Sequence, residues 1–167
     1  MKKIFCIFNF ISSTEVMFLD ESFDLTSGTP VSWDTSYLKK TPLGYVQMQI
    51  SSNSKNIMIS GGVGRELERH FLAEESYKYE IIKKIIDNNG TYNNPAEYST
   101  DNSIVDLADI FKGVVFSGDY GVIARACCRG VKSVYIIDEK ELERSNGIGN
   151  FIEIYRKNVG KEIKKLK

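Results

Sequence analysis

Hydrophobic and polar residues alternate along the chain in a pattern that is strand-like at first and helical later. Apolar runs at Ile4–Phe10, Val16–Leu19 and Val31–Tyr37, separated by turn-forming residues, predict three strands. Over Val46–Ile50 apolar residues alternate with glutamines, which favours a half-buried strand, with a short helix as the alternative. We therefore predict strands and turns in the first third of the chain, and helices only after it.

From residue 57 onward, short apolar runs alternate with helical periodicity. The pattern predicts a strand at Ile57–Ile59, a helix from Val63, a helix at Tyr77–Ile86, a helix from Asp101, a strand at Val114–Phe116, a helix at Tyr120–Cys128, a strand at Val134–Ile137 and a last helix at about Ile148–Leu166. Short buried strands that alternate with helices require a parallel sheet covered on both faces. We expect an α/β fold of three α/β/α layers, with a mainly parallel central sheet and an N-terminal β extension.

Length and composition favour one domain. The chain has 167 residues, of which 42% are hydrophobic, and it contains no repeat or long linker. We predict a single domain over residues 1–167, with a strand extension at 1–30 and a basic C-terminal helix at 148–167. No apolar run approaches the roughly 18 residues that span a bilayer, which excludes an integral membrane protein.

Two features favour a cytoplasmic location. The basic and apolar start of the chain resembles a signal peptide poorly, because Asn9 interrupts the apolar run and no small-residue cleavage site follows it. The three cysteines are odd in number and two are adjacent, unlike a disulfide framework or a zinc site. A reducing compartment suits such a chain.

The charges balance over the whole chain but not at its end. With 22 basic and 22 acidic residues the net charge is zero, so a polyanion-binding site must be local. From residue 156 onward six basic residues stand against one acid, a local charge of +5. The candidates for contacting nucleic-acid phosphates are Arg156, Lys157, Lys161, Lys164 and Lys165. The alternative is a solubilising helix end.

Acidic residues stand close behind the predicted strands and at predicted helix starts. Ligands of open α/β sheets bind beyond the carboxyl ends of the strands, which makes Asp34, Glu66, Asp101 and Asp119 candidates for a shared site. Carboxylates repel one another unless a cation neutralises them, and Mg²⁺ or Mn²⁺ prefers oxygen ligands. Such an ion activates water and stabilises a leaving oxygen in phosphodiester hydrolysis.

Each of these acids also has a purely structural explanation. Asp101 and Asp119 at helix starts are typical capping residues, and Glu66 on a charged helix face is typical of a solvated position. Two alternates also remain open: Asp20 behind the Val16–Leu19 run competes with Asp34, and Glu68 competes with Glu66. The hypothesis of a metal site depends on the four acids converging.

The acid-bearing segments resemble the motifs of the PIN-domain family. The segment 34–38 resembles the first motif, an acid followed by a small hydroxyl residue, and 57–69 resembles the second strand and the helix that carries a glutamate. The segment 101–108 is similar to the third motif, an Asp that opens a helix, and 114–119 to the fourth, a strand that ends in Thr/Ser-x-Asp. The resemblance covers roughly residues 31–138.

This resemblance implies a metal-dependent endoribonuclease. Asp34, Glu66, Asp101 and Asp119 would be its catalytic and metal-binding residues, with Mg²⁺ or Mn²⁺ as the cofactor. Because many small members are toxins held inactive by an antitoxin, the implied partners are RNA, an antitoxin protein and, for a homodimer, a second copy of the chain. The alternatives are a PIN-like binding or scaffold module without catalysis, and another doubly wound nucleotide-binding or receiver-like domain.

Overall fold

One mixed sheet forms the centre of the molecule. The computed structural model describes residues 1–53, 56–74, 76–89 and 99–167. The strands in this part of the chain are β1 (Phe5–Asn9), β2 (Thr14–Phe18), β3 (Val31–Trp33), β4 (Ile57–Met58), β5 (Val114–Ser117) and β6 (Ser133–Ile136).

Helices connect most of these strands. In the same described ranges they are α1 (Leu19–Thr26), α2 (Thr35–Lys40), α3 (Leu43–Asn53), α4 (Gly61–Glu74), α5 (Ser76–Asn89), α6 (Thr100–Ile110), α7 (Tyr120–Cys128), α8 (Glu139–Arg144) and α9 (Ile148–Leu166). Among the described residues, none of these helices has the length and apolar character that crossing a membrane requires.

The strand order across the sheet is β2-β1-β6-β5-β3-β4. The four strands β6, β5, β3 and β4 run parallel to one another, with Val31 beside both Ile57 and Val114. β1 is antiparallel to both β2 and β6. The prediction of a mainly parallel sheet with an N-terminal β extension is confirmed, and the extension is a hairpin that belongs to the sheet. The carboxyl ends of the parallel strands lie at one common edge.

Helices cover both faces of the sheet, and a separate apolar core fills each face. Side chains alternate between faces along a strand, so Val134 and Ile136 of β6 pack in one core and Tyr135 packs in the other. The larger core takes side chains from α1 through α7, and the smaller is built mainly by α7 and α9. The predicted three-layer α/β/α architecture is confirmed.

The expectation of strands alone in the first third is wrong, because three helices lie there. In α1, Leu19, Ser22, Phe23 and Thr26 are buried, a helical spacing in which two positions are polar. The predicted strand at Val31–Tyr37 ends at its third residue and α2 begins two residues later. Buried serine and threonine hid the helical period from a hydrophobic pattern, since their hydroxyls bond to carbonyls within the helix.

The favoured strand at Val46–Ile50 is also wrong, and the alternative of a helix is correct. The buried residues of α3 are Tyr45, Val46, Gln49 and Asn53, while Gln47 is exposed. Gln49 points inwards and its side-chain oxygen accepts hydrogen bonds from the Trp33 indole and from the Tyr37 hydroxyl. A buried glutamine with a structural role therefore produced the misleading period of two.

Candidate functional site

The acids chosen from the sequence lie behind the carboxyl ends of the parallel strands. Asp34 follows β3 directly, and Asp119 follows β5 after one glycine. Glu66 lies in the second turn of α4, which begins behind β4, and Asp101 lies in the first turn of α6. Parallel strands bring all their carboxyl ends to one edge, so the fold directs these four segments towards one region.

Asp34 is the most buried of the four carboxylates, with 5% of its surface exposed. Its Oδ2 accepts hydrogen bonds from the Ser36 hydroxyl and, at 2.7 Å, from the Ser117 hydroxyl. Burial raises the pKa of Asp34 above 3.8; the two serine bonds oppose the rise, and the negative charges of Asp101 and Asp119 add to it. A carboxylate held in this way favours a nearby cation.

Asp119 caps helix α7. Its Oδ1 accepts the backbone N–H groups of Gly121 at 2.6 Å and Val122 at 3.3 Å, so the structural explanation given for it from the sequence holds. Its own N–H donates to the Ser117 hydroxyl at 3.0 Å. Ser117 thus binds both Asp34 and the backbone of Asp119, and links the two acids.

Asp101 is not the cap of its helix, because the Ser99 hydroxyl accepts the Asn102 N–H at the start of α6. Its carboxylate instead lies 3.6 Å from the Arg125 guanidinium. Burial raises the pKa of Asp101 above 3.8; the charge of Asp119 adds to the rise, Arg125 opposes it, and Glu66 adds to it. The charges of two other acids of the predicted site, Asp119 and Glu66, therefore act on Asp101.

Glu66 is tied to the segment behind β3. Its Oε2 accepts a hydrogen bond from the Thr35 hydroxyl at 2.5 Å. The alternate Glu68 is exposed. The alternate Asp20 acts on a different region, since burial raises the pKa values of Cys6 and Tyr45 and the charge of Asp20 adds to that rise. Of the acids left open from the sequence, Asp34 and Glu66 are the ones that join Asp101 and Asp119.

The donor chemistry of this cluster suits a hard divalent ion, because all four groups are carboxylates. The side chains are not gathered into a finished ligand set, however: among the described residues, no three acids, histidines or cysteines stand where they could hold a metal ion together. Arg125 holds Asp101, and Thr35 holds Glu66. Metal binding would require these two acids to change their present partners.

The basic C-terminal helix borders the same site. The five lysines and arginines predicted to contact nucleic acid are all exposed along α9, which packs on α7. On the same helix, Glu162 Oε2 lies 3.9 Å from the point where a Cβ would stand on Gly121, and its Oε1 accepts a bond from Lys165 at 2.7 Å. The positive end of α9 is therefore near the helix start capped by Asp119.

Sequence reasoning assigned no contact to four residues that shape the site, although Ser117 stands in the Thr/Ser-x-Asp segment. Ser36 and Ser117 bind Asp34, Arg125 binds Asp101, and Glu162 approaches from α9. Arg125 has a recognisable signal, since it lies six residues after Asp119 on a short helix that is otherwise mostly apolar. Glu162 has none, because only the packing of α9 on α7 brings it near.

Comparison with protein-family models, with curated proteins and with solved structures found no match to the chain.

Proposed function

We propose that this protein is a metal-dependent endoribonuclease of the PIN type. The observation that carries the proposal is the electrostatic coupling of the acids. The negative charges of Asp101 and Asp119 add to the rise in the pKa of Asp34, and those of Asp119 and Glu66 add to the rise in the pKa of Asp101. Like charges from four separate segments raise the energy of one another, a cost that a bound cation would relieve. The α3 helix adds support, because PIN domains have a helix at the corresponding place.

In this proposal the four carboxylates would hold Mg²⁺ or Mn²⁺. The bound ion would lower the pKa of a water molecule and stabilise the charge that develops at a phosphodiester. Asp34, fixed by Ser36 and Ser117, would supply an oxygen ligand in a defined orientation. Asp119 would contribute its carboxylate while capping α7, which keeps its position fixed relative to the sheet.

RNA binding would use the basic end of α9. Lys161, Lys164 and Lys165 are exposed and stand within one turn of Glu162, which reaches the neighbourhood of Gly121. Phosphates bound by these lysines would place the following stretch of backbone near Asp119. The exposed position of Asp119 leaves it accessible to a substrate approaching from that side.

The test is cleavage of a fluorescently labelled single-stranded RNA by the full chain with Mn²⁺, with and without EDTA. The informative variant is Asp119→Asn, because asparagine caps a helix as well as aspartate does and so preserves the fold while removing the charge. We expect a loss of at least 100-fold in rate with unchanged thermal stability. Cleavage that persists in EDTA, or at the wild-type rate in the variant, would contradict the proposal.

A second candidate is a PIN-like binding module without catalysis. The observation that favours it is the ion pair between Arg125 and Asp101, which already partly neutralises the acidic cluster. A calorimetric titration with Mn²⁺ separates the two candidates. Heat of binding at micromolar to low millimolar Mn²⁺ supports the nuclease, and no binding at millimolar Mn²⁺ supports the module.

The biological setting that we propose is a cytoplasmic toxin held inactive by an antitoxin. The cysteines Cys6, Cys127 and Cys128 are free, and the last two are exposed, which suits a reducing compartment. The test is an expression assay: the wild-type chain should slow growth of the host, and Asp119→Asn should not. Equal growth with both chains would argue against a toxin.

A further inference from the structure

The last residue of α2, Lys40, makes contacts that reach across the edge of the sheet. Its Nζ donates to the Gly118 carbonyl at 2.8 Å and lies 3.3 and 3.4 Å from the two carboxylate oxygens of Glu141. The Tyr135 hydroxyl is 3.4 Å away. These partners come from three parts of the chain: Gly118 lies in the turn before α7, Tyr135 is in β6 and Glu141 is in α8.

The contact with Gly118 has a counterpart at the other end of α2. Ser36, in the first turn of α2, accepts the Gly118 N–H at 2.9 Å. Both backbone polar groups of Gly118 are therefore bound by α2, the N–H from its start and the carbonyl from its end. Asp119 is the next residue in the chain, so the α2 contacts determine where its backbone begins.

The glycine itself is needed for this contact. A Cβ on residue 118 would lie 2.6 Å from Lys40 Cδ, a distance that the lysine side chain would have to avoid by moving. The absence of a side chain at Gly118 therefore lets the lysine stem lie against the backbone and place its ammonium group on the carbonyl oxygen.

The charge of Lys40 is already engaged. Glu141 balances it, and the Tyr135 hydroxyl donates to the same carboxylate at 3.2 Å. The Lys40 side chain is 21% exposed. An ammonium group with these partners is poorly placed to bind a substrate phosphate, and its contacts suit a role in holding the protein's own backbone.

We propose that Lys40 is a positioning residue that fixes the Ser117–Asp119 turn, and through it the Asp119 carboxylate, against helix α2. The expected loss of turnover without Lys40 rests on the proposed nuclease function, whereas the expected loosening of the turn does not. A shift of about 1 Å in a catalytic group costs on the order of 100-fold in rate. Lys40 would thus act on turnover and metal binding without touching the RNA.

The test compares Lys40→Met and Lys40→Arg with Lys39→Met, a neighbouring exposed lysine of the same helix. We expect Lys40→Met to lower kcat 10- to 100-fold with KM changed less than threefold, and to weaken Mn²⁺ binding in calorimetry. Lys40→Arg should recover most of the kcat, and Lys39→Met should behave as wild type. Wild-type kcat and Mn²⁺ affinity in Lys40→Met would overturn the proposal.

A readout without catalysis keeps this test separate from the nuclease assay. In wild type and in both methionine variants, NMR hydrogen exchange reports the protection of the Gly118, Asp119 and Gly121 amides. Lys40→Met should accelerate their exchange at least 10-fold even if the wild-type protein cleaves no RNA, whereas exchange equal to that of Lys39→Met would overturn the proposed positioning of the Ser117–Asp119 turn. If Lys40→Met fails to fold, the double variant with Glu141→Gln, which also removes the partner charge, is measured in its place with the same expected results.

Discussion

Replacing Asp34 by asparagine should stabilise the metal-free protein and remove much of its response to Mn²⁺. The carboxylate is 5% exposed and lies among acids that raise its pKa. Asparagine has nearly the same shape and keeps an oxygen that can accept the bonds of Ser36 and Ser117. The substitution therefore removes a buried charge while leaving most of the packing in place.

The magnitude follows from two opposing contributions. A hydrogen bond to a charged acceptor is stronger than one to a neutral acceptor by about 1 kcal/mol, and Asp34 accepts two such bonds, so asparagine loses about 2 kcal/mol. Removing a buried carboxylate that no cation neutralises recovers about 3 to 4 kcal/mol of desolvation cost. The net gain of about 1 to 2 kcal/mol should raise the melting temperature by roughly 2 to 8 °C in EDTA at pH 7.5.

The stability difference should depend on pH in a defined direction. Because the folded protein binds a proton at Asp34 more readily than the unfolded chain does, wild-type stability falls as the pH rises from 3.8 through the raised pKa. The variant lacks this loss. The gap in melting temperature should therefore be small at pH 4 or below, grow as the carboxylate ionises, and stay constant at higher pH.

The assay is differential scanning fluorimetry in EDTA and in saturating Mn²⁺. At 100 times its Kd, Mn²⁺ should stabilise the wild type by about 2.7 kcal/mol and the variant by much less. Asp24→Asn, at an exposed position on α1, is the matched control and should follow the wild type. A variant that is less stable than the wild type in EDTA at pH 7.5, or that gains equally from Mn²⁺, would refute this reasoning.

Three other sets of substitutions test separate predictions. Arg125→Gln should tighten Mn²⁺ binding about two- to tenfold in calorimetry, because it frees Asp101 from its ion pair; weaker binding would contradict this. Gln49→Leu should cost about 2 to 4 kcal/mol in urea unfolding, since it leaves two buried donors unpaired, and Gln47→Leu less than about 0.5; equal costs would contradict the helix. Changing two of the exposed α9 lysines to alanine should weaken RNA binding. It should also reduce the slope of the logarithm of the binding constant against the logarithm of the salt concentration by about 1.4, and an unchanged slope would show that α9 does not bind the RNA.

The sequence predicted the later part of the fold well because strong hydrophobic periods dominate there. The strands β5 and β6 and the helices α7 and α9 follow directly from apolar runs with few buried polar residues, whereas α8, which buries none of its residues, was not predicted. The first third was predicted poorly because its helices bury polar groups that bond inside the protein, such as Ser22 in α1 and Gln49 in α3. A hydrophobic pattern counts such residues as exposed, and their partners are visible only in three dimensions.

The candidate site was also predicted only in part: the acids were identified from the sequence, but the residues that hold them were not. The positions of Asp119 behind a strand and of Asp101 at a helix start were readable, since both are local features. The end of β3 just before Asp34 was not, because the predicted strand ran on to Tyr37. The partners that hold them come from distant segments: Arg125 reaches Asp101 across two helices, and Lys40 reaches Gly118 over 78 positions. No spacing rule connects such pairs, because only the strand order of the sheet brings their segments together.

The central claim is that carboxylates from four segments bind one divalent ion between them. Titration of the isotopically labelled protein with sub-stoichiometric Mn²⁺ tests it directly, because the paramagnetic ion broadens the NMR signals of nearby amides. We predict that the first signals lost are those of residues 34–36, 66, 101–102 and 118–121, and that Asp101→Asn combined with Asp119→Asn abolishes the effect. Broadening centred elsewhere, such as at the exposed acids of α8, or no selective broadening at all, would contradict the claim.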